Sequence, residues 1–509
     1  MVIAQINVSN LTFAYDGSFD NIFEGVSFSV DTNWKLGFIG RNGKGKTTFL
    51  NLLLGKYEYS GSIHTTTVFD YFPYQIAEEQ KQCCFAELME ELKEGSELWK
   101  VICELETLDA DAELLYRPFC TLSHGERTKV MLSLLFSREN DFLLIDEPTN
   151  HLDGKTRELV KAYLQKKKGF ILVSHDRDLL DACIDHVLVL NRASIEVQTG
   201  NFSSWWENKS RKDAFSIAEN EKHKREIGKL EEASQRMQRW AEKAEGRKIG
   251  YDPIKVHDRS KGARAYIGSK AKKMQGHAKQ VEGRIDREIE AKEGLLVDIE
   301  NPVDLKLMPQ KHHKERLILA KEYSLSYGEK SVLKNFEFEL MQGERVVLHG
   351  KNGCGKSSFL KAVLLRAGVL PETSRNLLEQ GTLELASGLT VSYVSQNTSF
   401  LKGTLKVYAR EQDMDESLFF AILRQLDLER VQFDKQIEDY SEGQKKKVLL
   451  AASLLKPAHI YIWDEPLNYV DVFSKMQIEK LILQYEPTML FVEHDVRFRE
   501  KIATKVVEL

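Results

Sequence analysis

Two glycine-rich segments of the form GxxxxGK[ST] are the clearest chemical signal in the 509-residue sequence. One segment ends in Lys46 and Thr47, and the other ends in Lys356 and Ser357. In such a segment glycines let backbone amides close around phosphate oxygens, the lysine reaches the outer phosphates and the hydroxyl ligates Mg²⁺. Each segment lies between a short apolar run and an apolar helical run, which predicts two ATP sites. The predicted phosphate-loop contacts are Gly40, Asn42, Gly43, Gly45, Lys46, Thr47 and Thr48, and then Gly350, Asn352, Gly353, Gly355, Lys356, Ser357 and Ser358.

An acidic pair follows an apolar run downstream of each segment, as Asp146-Glu147 and Asp464-Glu465. Acids at the carboxyl end of a parallel strand lie beside the phosphate loop. The aspartates suit Mg²⁺, and the glutamates could activate or orient the attacking water. A second apolar run then ends in His175 or in His494, each predicted to contact the γ-phosphate. Taken alone, such acids are commonly solvated and a lone histidine is more often structural, so the prediction depends on this context.

The two sets of motifs recur in the same order at a nearly constant spacing. The phosphate-loop lysines are 310 positions apart, the acidic pairs 318 and the histidines 319. A nearly constant offset across independent motifs indicates an internal duplication.

A Ser-x-Gly-Glu or Ser-x-Gly-Gln segment precedes each acidic strand, with Ser123 and Ser441 as its serines. By itself each is a helix-capping box. The complete set of motifs resembles the ATP-binding cassette (ABC) ATPases. The resemblance implies a signature made of Ser123, Gly125 and Glu126 in the first cassette, and of Ser441, Gly443 and Gln444 in the second.

The same resemblance implies further ATP contacts outside these motifs. Tyr15 and Tyr327 would stack on adenine, Gln75 and Gln396 would be the Q-loop glutamines, and Asp153 and Asp471 the D-loop aspartates. The implied Mg²⁺ ligands are Thr47, Gln75 and Asp146 in the first cassette, and Ser357, Gln396 and Asp464 in the second.

In ABC ATPases two cassettes meet head to tail, so the resemblance implies two composite sites. Lys46 and Glu147 would face Ser441 and Gly443, and Lys356 and Glu465 would face Ser123 and Gly125. His124 and Glu442 replace glycines of the family signature. His124 is expected to narrow the room around a γ-phosphate. Glu442 is expected either to repel that phosphate and slow turnover, or to hydrogen-bond locally or point away.

The segment between the cassettes is not repeated, and it concentrates positive charge. Residues 236–284 hold 14 Lys/Arg and 5 Asp/Glu, although the whole chain has a net charge of -5. Apolar residues at steps of three and four predict a helical hairpin with a basic tip at 249–268. A charge run is most often a solvated face, but the interleaved aromatic residues favour RNA contact. The predicted RNA-binding residues are Arg239, Trp240, Lys243, Arg247, Lys248, Tyr251, Lys255, His257, Arg259, Lys261, Arg264 and Tyr266.

Twin cassettes joined by a charged helical linker resemble the ABC-F family, and in particular its antibiotic-resistance members of the lincosamide, streptogramin A and pleuromutilin type (Lsa/Vga-like). The resemblance implies a ribosome-protection ATPase that enters the tRNA exit site with ATP bound. Its hairpin would contact large-subunit rRNA and P-site tRNA and dislodge antibiotics from the peptidyl-transferase centre. Two alternatives stay open: an ABC-F translation factor that rescues stalled ribosomes without a drug role, and the ATPase subunit of a drug exporter. A DNA-acting repair ATPase is disfavoured by the short linker.

The predicted fold class is α/β, with two tandem ABC nucleotide-binding domains at 1–206 and 306–509. Each has a RecA-like core, an antiparallel β subdomain and a helical subdomain, and the linker occupies 207–305. No apolar run reaches 18 residues and no secretion signal is visible, so we expect a cytoplasmic protein without membrane contact. The six cysteines lack CxxC spacing and are expected to be free thiols. We expect a monomer whose two cassettes pair within one chain.

Overall fold

The structure is a computed structural model whose chain separates into two compact units. It describes residues 5–15, 21–41, 45–138, 142–150, 152, 154–190, 195–249, 272–273, 279, 281, 284–285, 307–328, 330–351, 353–371, 377–428 and 430–509. One unit joins Met1–Trp205 to Pro302–Leu509, and the other is Trp206–Asn301. The predicted domain borders at 206 and 305 stay predictions.

The first cassette contains nine strands and six short helices among its described residues. The strands are β1 (Gln5–Phe13), β2 (Phe23–Asp31), β3 (Lys35–Ile39), β4 (Ser60–His64), β5 (Phe69–Phe72), β6 (Phe142–Asp146), β7 (Phe170–Val173), β8 (His186–Leu190) and β9 (Ile195–Thr199). The helices are α1 (Lys46–Leu53), α2 (Phe85–Leu92), α3 (Leu98–Thr107), α4 (His124–Leu135), α5 (Gly154–Gln165) and α6 (Arg177–Cys183).

A long helix, α7 (Phe202–Ile249), leads out of the first cassette, and the second cassette follows. Its strands are β10 (Arg316–Tyr327), β11 (Lys330–Met341), β12 (Arg345–His349), β13 (Leu378–Leu385), β14 (Val391–Val394), β15 (Ile460–Asp464), β16 (Met489–Val492) and β17 (Lys505–Glu508). Its helices are α8 (Lys356–Arg366), α9 (Leu405–Glu411), α10 (Glu416–Gln425), α11 (Glu442–Leu455), α12 (Val472–Tyr485) and α13 (Val496–Ile502).

Each cassette combines a largely parallel sheet with a small antiparallel one. The parallel sheets have the orders β5-β6-β7-β3-β8-β9 and β14-β15-β16-β12-β17, and the antiparallel sheets are β2-β1-β4 and β11-β10-β13. Strand β7 is buried along its whole length, as a parallel strand covered on both faces must be. Strand β1 instead alternates buried and exposed residues. The predicted tandem ABC fold is confirmed.

The parallel sheets position the chemistry because their strands end at one edge. In the first cassette β3 leads toward the phosphate loop, β6 ends at Asp146, and β7 ends just before His175. Strands β6 and β7 are neighbours, and β7 pairs with β3. Residues far apart in sequence are thereby gathered at one edge, and the second cassette repeats this arrangement with β12, β15 and β16.

The second unit contains most of α7, which has 48 residues and is therefore about 70 Å long. Two residues of the predicted hairpin seams, Ile227 and Ile285, are buried. The predicted loop at 249–268 lies outside the described residues except for Ile249. Among the helices that the structure describes, none combines the length and the apolar character that a membrane crossing requires.

Candidate functional site: two paired nucleotide sites

The first phosphate loop is held by its own lysine. Lys46 opens α1 and is buried, and its Nζ donates to the carbonyl oxygens of Gly40 at 2.6 Å and Arg41 at 3.0 Å. Gly45 has a φ of +102°, and a Cβ there would lie 2.5 Å from Ile22. The conformation and the crowding both require glycine. Thr47 and Thr48 follow in α1, whereas Asn42 and Gly43 lie outside the described residues.

The second phosphate loop has the same geometry. Lys356 Nζ donates to the carbonyl oxygens of Gly350 and Lys351, both at 2.8 Å. Gly355 has a φ of +109°, and a Cβ there would lie 2.8 Å from Val332. In each loop the lysine Nζ therefore donates to two backbone carbonyl oxygens. Phosphate oxygens of a bound nucleotide could replace these carbonyl oxygens as acceptors. Gly353 lines the adjacent cavity with Ser357 and Ser358, and Asn352 lies outside the described residues.

Each predicted metal site has a hydroxyl beside a carboxylate. Thr47 Oγ1 donates to Asp146 Oδ2 at 3.3 Å, and Ser357 Oγ donates to Asp464 Oδ1 at 3.3 Å. Burial raises the pKa of Asp146, and burial together with the charge of Glu465 raises the pKa of Asp464 to about 6. A cation would favour the charged carboxylates, and oxygen atoms are the ligands that Mg²⁺ prefers. These residues therefore fit Mg²⁺.

The carboxylate of Glu147, the catalytic candidate of the first cassette, accepts few hydrogen bonds. It follows β6 with a φ of +49°, and its Oε2 accepts a hydrogen bond from the His175 amide at 3.3 Å. His175 Nε2 lies 3.4 Å from Glu147 Oε1, but this buried oxygen has no hydrogen-bond partner in the described part of the chain. Burial, assisted by the Asp146 charge, raises the pKa of Glu147 to about 8.

The equivalent Glu465 is held by several donors. It has the same backbone twist, with a φ of +46°, and its Oε2 accepts hydrogen bonds from Gln396 Nε2 at 2.8 Å and Asn468 Nδ2 at 2.7 Å. His494 Nε2 lies 3.3 Å from Glu465 Oε1. Burial alone would raise the pKa of Glu465, but His494, Gln396 and Lys446 outweigh it, so the pKa is lowered.

The two tyrosines predicted to stack on adenine stand beside the phosphate loops. Tyr15 is 43% exposed and its hydroxyl is 2.8 Å from Thr48 Oγ1. Tyr327 is 37% exposed and its hydroxyl is 3.3 Å from Ser358 Oγ. Both rings therefore remain accessible to a planar ligand.

The two Q-loop glutamines differ in position. Gln396 lines the second nucleotide cavity and contacts Glu465. Gln75 is exposed, and the first cavity is lined instead by its neighbours Tyr74 and Ile76. In this conformation only Gln396 is in contact with a catalytic candidate.

Three cavities connect the candidate residues. The first, of about 880 Å³, extends from Tyr15, Lys46 and Asp146 to helix α4, a volume that suits a nucleotide. A second cavity, of about 430 Å³, joins Glu147 and His175 of the first cassette to the second signature. We call the Lys46 loop and this signature, Ser441–Gln444, the first composite site.

A third cavity, of about 470 Å³, is lined by Lys356, Glu465 and His494 together with His124 of the first cassette. We call it the second composite site. The cassettes thus bring Glu147 and His175 toward the second signature, and the second phosphate loop toward His124 of the first signature, in the head-to-tail manner that the resemblance implied.

Both signature serines are helix caps, as their spacing predicted. Ser123 Oγ accepts from the Glu126 amide and Ser441 Oγ accepts from the Gln444 amide, each at 3.3 Å. The backbone amide of Ser123 holds the pKa of Glu126 below its usual range. The glycines are packed differently: a Cβ on Gly443 would lie 2.6 Å from the Tyr469 carbonyl oxygen, and one on Gly125 would lie 3.3 Å from Thr156 Cγ2.

Of the alternatives raised for Glu442, the structure shows the local hydrogen bond. Thr398 Oγ1 donates to Glu442 Oε2 at 2.6 Å, and Lys445 Nζ lies 3.6 Å from Glu442 Oε1. The carboxylate therefore has a local hydrogen bond and a nearby cation, although Glu442 also lines the first composite site. His124 lines both the first cavity and the second composite site.

Asp471, the D-loop candidate of the second cassette, is completely buried. Its Oδ1 caps α12 by accepting from the Ser474 amide at 2.9 Å, and its Oδ2 pairs with Lys447 Nζ at 2.8 Å. Burial would raise the pKa of Asp471, but the Lys447 charge outweighs it and lowers the pKa well below its usual range. Its counterpart Asp153 lies outside the described residues.

The RNA-binding candidates fall almost entirely outside the described side chains. Arg239 is exposed on α7. Trp240, Lys243, Arg247 and Lys248 belong to α7, but their side chains lie outside the described part. Tyr251, Lys255, His257, Arg259, Lys261, Arg264 and Tyr266 lie outside it altogether.

Two residues beside these sites, Arg41 and Lys446, make contacts that were not predicted from the sequence. Arg41 of the first phosphate loop pairs with Asp427 of the second cassette at 2.7 Å. The buried Lys446 donates to the carbonyl oxygens of Ser395 at 2.9 Å and Glu465 at 3.1 Å. Only the run Lys445-Lys446-Lys447 after the signature could have drawn attention to Lys446.

Comparison with known proteins agrees with this geometry. The family model described as ABC transporter matches residues 23–150 and 333–468, more than half of the chain. The chain is 28% identical to the ribosome protection protein VmlR of Bacillus subtilis, over 98% of this chain and 85% of the relative. It is 26% identical to the ATP-binding protein Uup of Buchnera aphidicola, over 99% of this chain and 80% of the relative.

Solved structures support the fold. The archaeal ribosome recycling factor aABCE1, in a crystal structure with the ribosomal stalk protein aP1, matches with a TM-score of 0.60 at 19% identity, covering 98% of this chain and 87% of that one. The family-model match shows that the chain belongs to the ATP-binding cassette family, and the similarity to VmlR along nearly the whole chain supports the predicted ABC-F branch. It binds ATP and is an ATPase.

Proposed function

We propose that the protein is a ribosome-protection ATPase that enters the tRNA exit site with ATP bound and dislodges antibiotics with its linker. Lincosamides, pleuromutilins and streptogramin A, which bind at the peptidyl-transferase centre, are the drugs concerned. The observation that carries the proposal is the similarity to a ribosome protection protein along 98% of the chain, the linker included. The cytoplasmic location, the monomeric state and the contacts with large-subunit rRNA and P-site tRNA are part of this proposal.

The cassettes would supply the movement. Lys46 and Lys356 would exchange their carbonyl acceptors for phosphate oxygens, and each signature would close on the opposite nucleotide. Glu147 and Glu465 would orient or deprotonate the attacking water, and His175 and His494 would contact the γ-phosphate. Closure on ATP would drive the linker into place, and hydrolysis would release it.

Mg²⁺ would be held by Thr47 and Asp146 in the first cassette and by Ser357 and Asp464 in the second. Bound there, the ion would neutralise charge on the phosphate oxygens. Burial of the two carboxylates fits this role because a buried anion needs a compensating charge.

The linker would act through its charge. Residues 236–284 have a local balance of +9 in a chain of net charge -5, and phosphates attract such a patch. The interleaved aromatic side chains would stack on unpaired bases near the peptidyl-transferase centre.

Ribosome binding is tested with the double variant Glu147→Gln, Glu465→Gln, which should accumulate in the ATP-bound form. We expect it to sediment with ribosomes in ATP and to remain in the supernatant in ADP. A double variant that stays in the supernatant in both nucleotides would contradict the proposal.

The drug role is tested by deleting residues 250–268 and measuring the growth of bacteria on a lincosamide and a pleuromutilin. We expect tolerance to fall to that of cells without the protein, while ATP-dependent sedimentation is retained. Unchanged tolerance would favour the alternative of a translation factor without a drug role. Recovery of the protein in washed membranes instead of ribosome fractions would favour an exporter subunit.

A further inference from the structure

Two basic residues at equivalent positions of the cassettes cross from one cassette to the other. Arg157 lies in α5 of the first cassette, and Lys475 lies in α12 of the second, 318 positions later, which is the same offset that separates the acidic pairs. Neither residue belongs to a nucleotide-binding motif.

Each cation reaches the backbone of the opposite histidine. Arg157 Nη1 donates to the carbonyl oxygen of His494 at 3.2 Å. Lys475 Nζ donates to the carbonyl oxygen of His175 at 3.1 Å. The same contact is therefore made twice, by residues of different chemistry.

Each cation is also anchored in its own cassette, to the aspartate that follows its own histidine. Arg157 Nη1 lies 3.6 Å from Asp176 Oδ2, and Lys475 Nζ lies 3.3 Å from Asp495 Oδ2. Since Asp176 follows His175 and Asp495 follows His494, the contacts form a closed ring. The ring runs from His175 through Lys475 to Asp495 and His494, and returns through Arg157 and Asp176.

The ring is shielded from solvent, which strengthens its electrostatic interactions. The side chain of Lys475 is 9% exposed, that of Asp495 7%, and those of Arg157 and Asp176 16% and 15%. Both cations line a small cavity of about 30 Å³ together with Glu147, His175 and Asn468. The two cations thus lie next to the catalytic candidates of the first cassette.

We infer that Arg157 and Lys475 are positioning residues that set the histidine of the opposite cassette, so that the hydrolysis site of each cassette is completed by a cation from the other. This inference rests on the role proposed above for His175 and His494. It goes further because it assigns a cross-cassette function to two residues outside the motifs, each acting on the histidine whose carbonyl oxygen it contacts.

The direction of the effect separates this inference from a general structural role. A cation that acted through its own aspartate would affect the histidine of its own cassette. A cation that acts through the opposite carbonyl affects the histidine of the other cassette.

The experiment measures ATP hydrolysis by each site alone. In Glu147→Gln the remaining activity belongs to Glu465 and His494, and in Glu465→Gln it belongs to Glu147 and His175. We expect Arg157→Met to lower kcat about ten-fold in Glu147→Gln, with little change in KM, because small misplacements of catalytic groups are costly. The same substitution should leave kcat nearly unchanged in Glu465→Gln, and Lys475→Met should show the reverse pattern.

Charge-conserving substitutions are the matched controls, because an arginine and a lysine make the same contact with a histidine carbonyl oxygen in the two cassettes. Arg157→Lys and Lys475→Arg should each restore most of the lost activity. Equal losses in both backgrounds, or losses in the cation's own site, would overturn the inference. If His494→Gln leaves hydrolysis intact in Glu147→Gln, the proposed role of the histidines fails instead.

A second measurement needs neither ATP nor turnover. The Cε1–H proton signals of His175 and His494 can be assigned by their loss in His175→Gln and His494→Gln. In the ligand-free protein, Arg157→Met should shift the His494 signal and spare that of His175, and Arg157→Lys should largely restore it. A shift of His175 alone, or of neither signal, would overturn the inference even if a variant lost activity through poor folding.

Discussion

The two composite sites share their motifs but differ in how their catalytic glutamates are held. Glu465 accepts from Gln396 and Asn468, whereas Glu147 keeps a buried oxygen without a hydrogen bond among the described residues. The pKa of Glu465 is accordingly lowered, while that of Glu147 is raised to about 8. Two sites with the same motifs can therefore differ in the pKa of the catalytic carboxylate, because that pKa depends on the hydrogen-bond donors and charges around it.

Part of the difference between the two glutamates comes from the residue two positions after each signature, which is Lys446 in the second cassette and Thr128 in the first. Lys446 of the second cassette reaches the backbone of Glu465, and its charge helps to lower the pKa of that glutamate. The equivalent Thr128 donates to the His124 carbonyl oxygen of its own helix. We therefore expect the second composite site to be the better prepared for hydrolysis.

The largest expected effect concerns stability of the second cassette. Asp471→Asn leaves the buried Lys447 without its carboxylate, and removing one member of a buried pair costs about 3–5 kcal/mol. Urea unfolding at pH 7 should show this loss. The equivalent first-cassette lysine, Lys129, is only partly buried, so Lys129→Met should cost less. Similar losses for both variants would contradict the comparison.

The same pair predicts a pH dependence. The pKa of Asp471 is lower in the folded protein than its ordinary value of 3.8, so its contribution to stability is present above that value and is lost as the pH falls below it. The difference in unfolding free energy between the wild type and Asp471→Asn should therefore be constant from pH 7 to about pH 5 and shrink towards pH 3. A difference that grows on acidification would show that the carboxylate is not stabilised by Lys447.

The next largest effect concerns hydrolysis. Glu465→Gln should lower steady-state phosphate release about 100-fold, as expected for loss of a general base, because the better prepared site is removed. Glu147→Gln should cost clearly less. The two single variants serve as controls for each other, and a greater loss in Glu147→Gln would reverse the proposed order of the sites.

The signature glycines should differ in their tolerance of a methyl group. Gly443→Ala places a Cβ 2.6 Å from the Tyr469 carbonyl oxygen, so backbone must move, at a cost of about 1–3 kcal/mol. Gly125→Ala meets only Thr156 Cγ2 at 3.3 Å and should cost less. The unfolding temperatures of the two variants measure these costs. Equal decreases in unfolding temperature would mean that the Tyr469 backbone moves aside at little cost.

The smallest expected effect concerns the Q-loop glutamines. Gln396→Leu removes a hydrogen bond to Glu465 and should lower hydrolysis several-fold, equivalent to about 1 kcal/mol. Gln75→Leu should slow hydrolysis less, because Gln75 is exposed and does not line the first nucleotide cavity. If the two variants are equally slow, Gln75 must reach its site once ATP is bound.

Much of the fold and the site could be predicted because phosphate binding restricts the local sequence. Sequence spacing is enough to identify the glycines with positive φ, the capping serines and the acids that end buried strands. The bonds between cassettes have no such signature. Arg41 meets Asp427, and Arg157 meets His494, across hundreds of residues of chain.

The sequence by itself determined that there are two cassettes and where the positive charge lies, and it predicted which residues would contact ATP, because phosphate-binding loops restrict the local sequence and the duplication repeats their motifs at a nearly constant offset. Only the tertiary structure decided that Glu465 has amide donors, that Glu442 is bonded to Thr398 and that a ring of charges joins His175 to His494. These contacts depend on how separate sheets and helices pack, and a one-dimensional pattern does not record that packing.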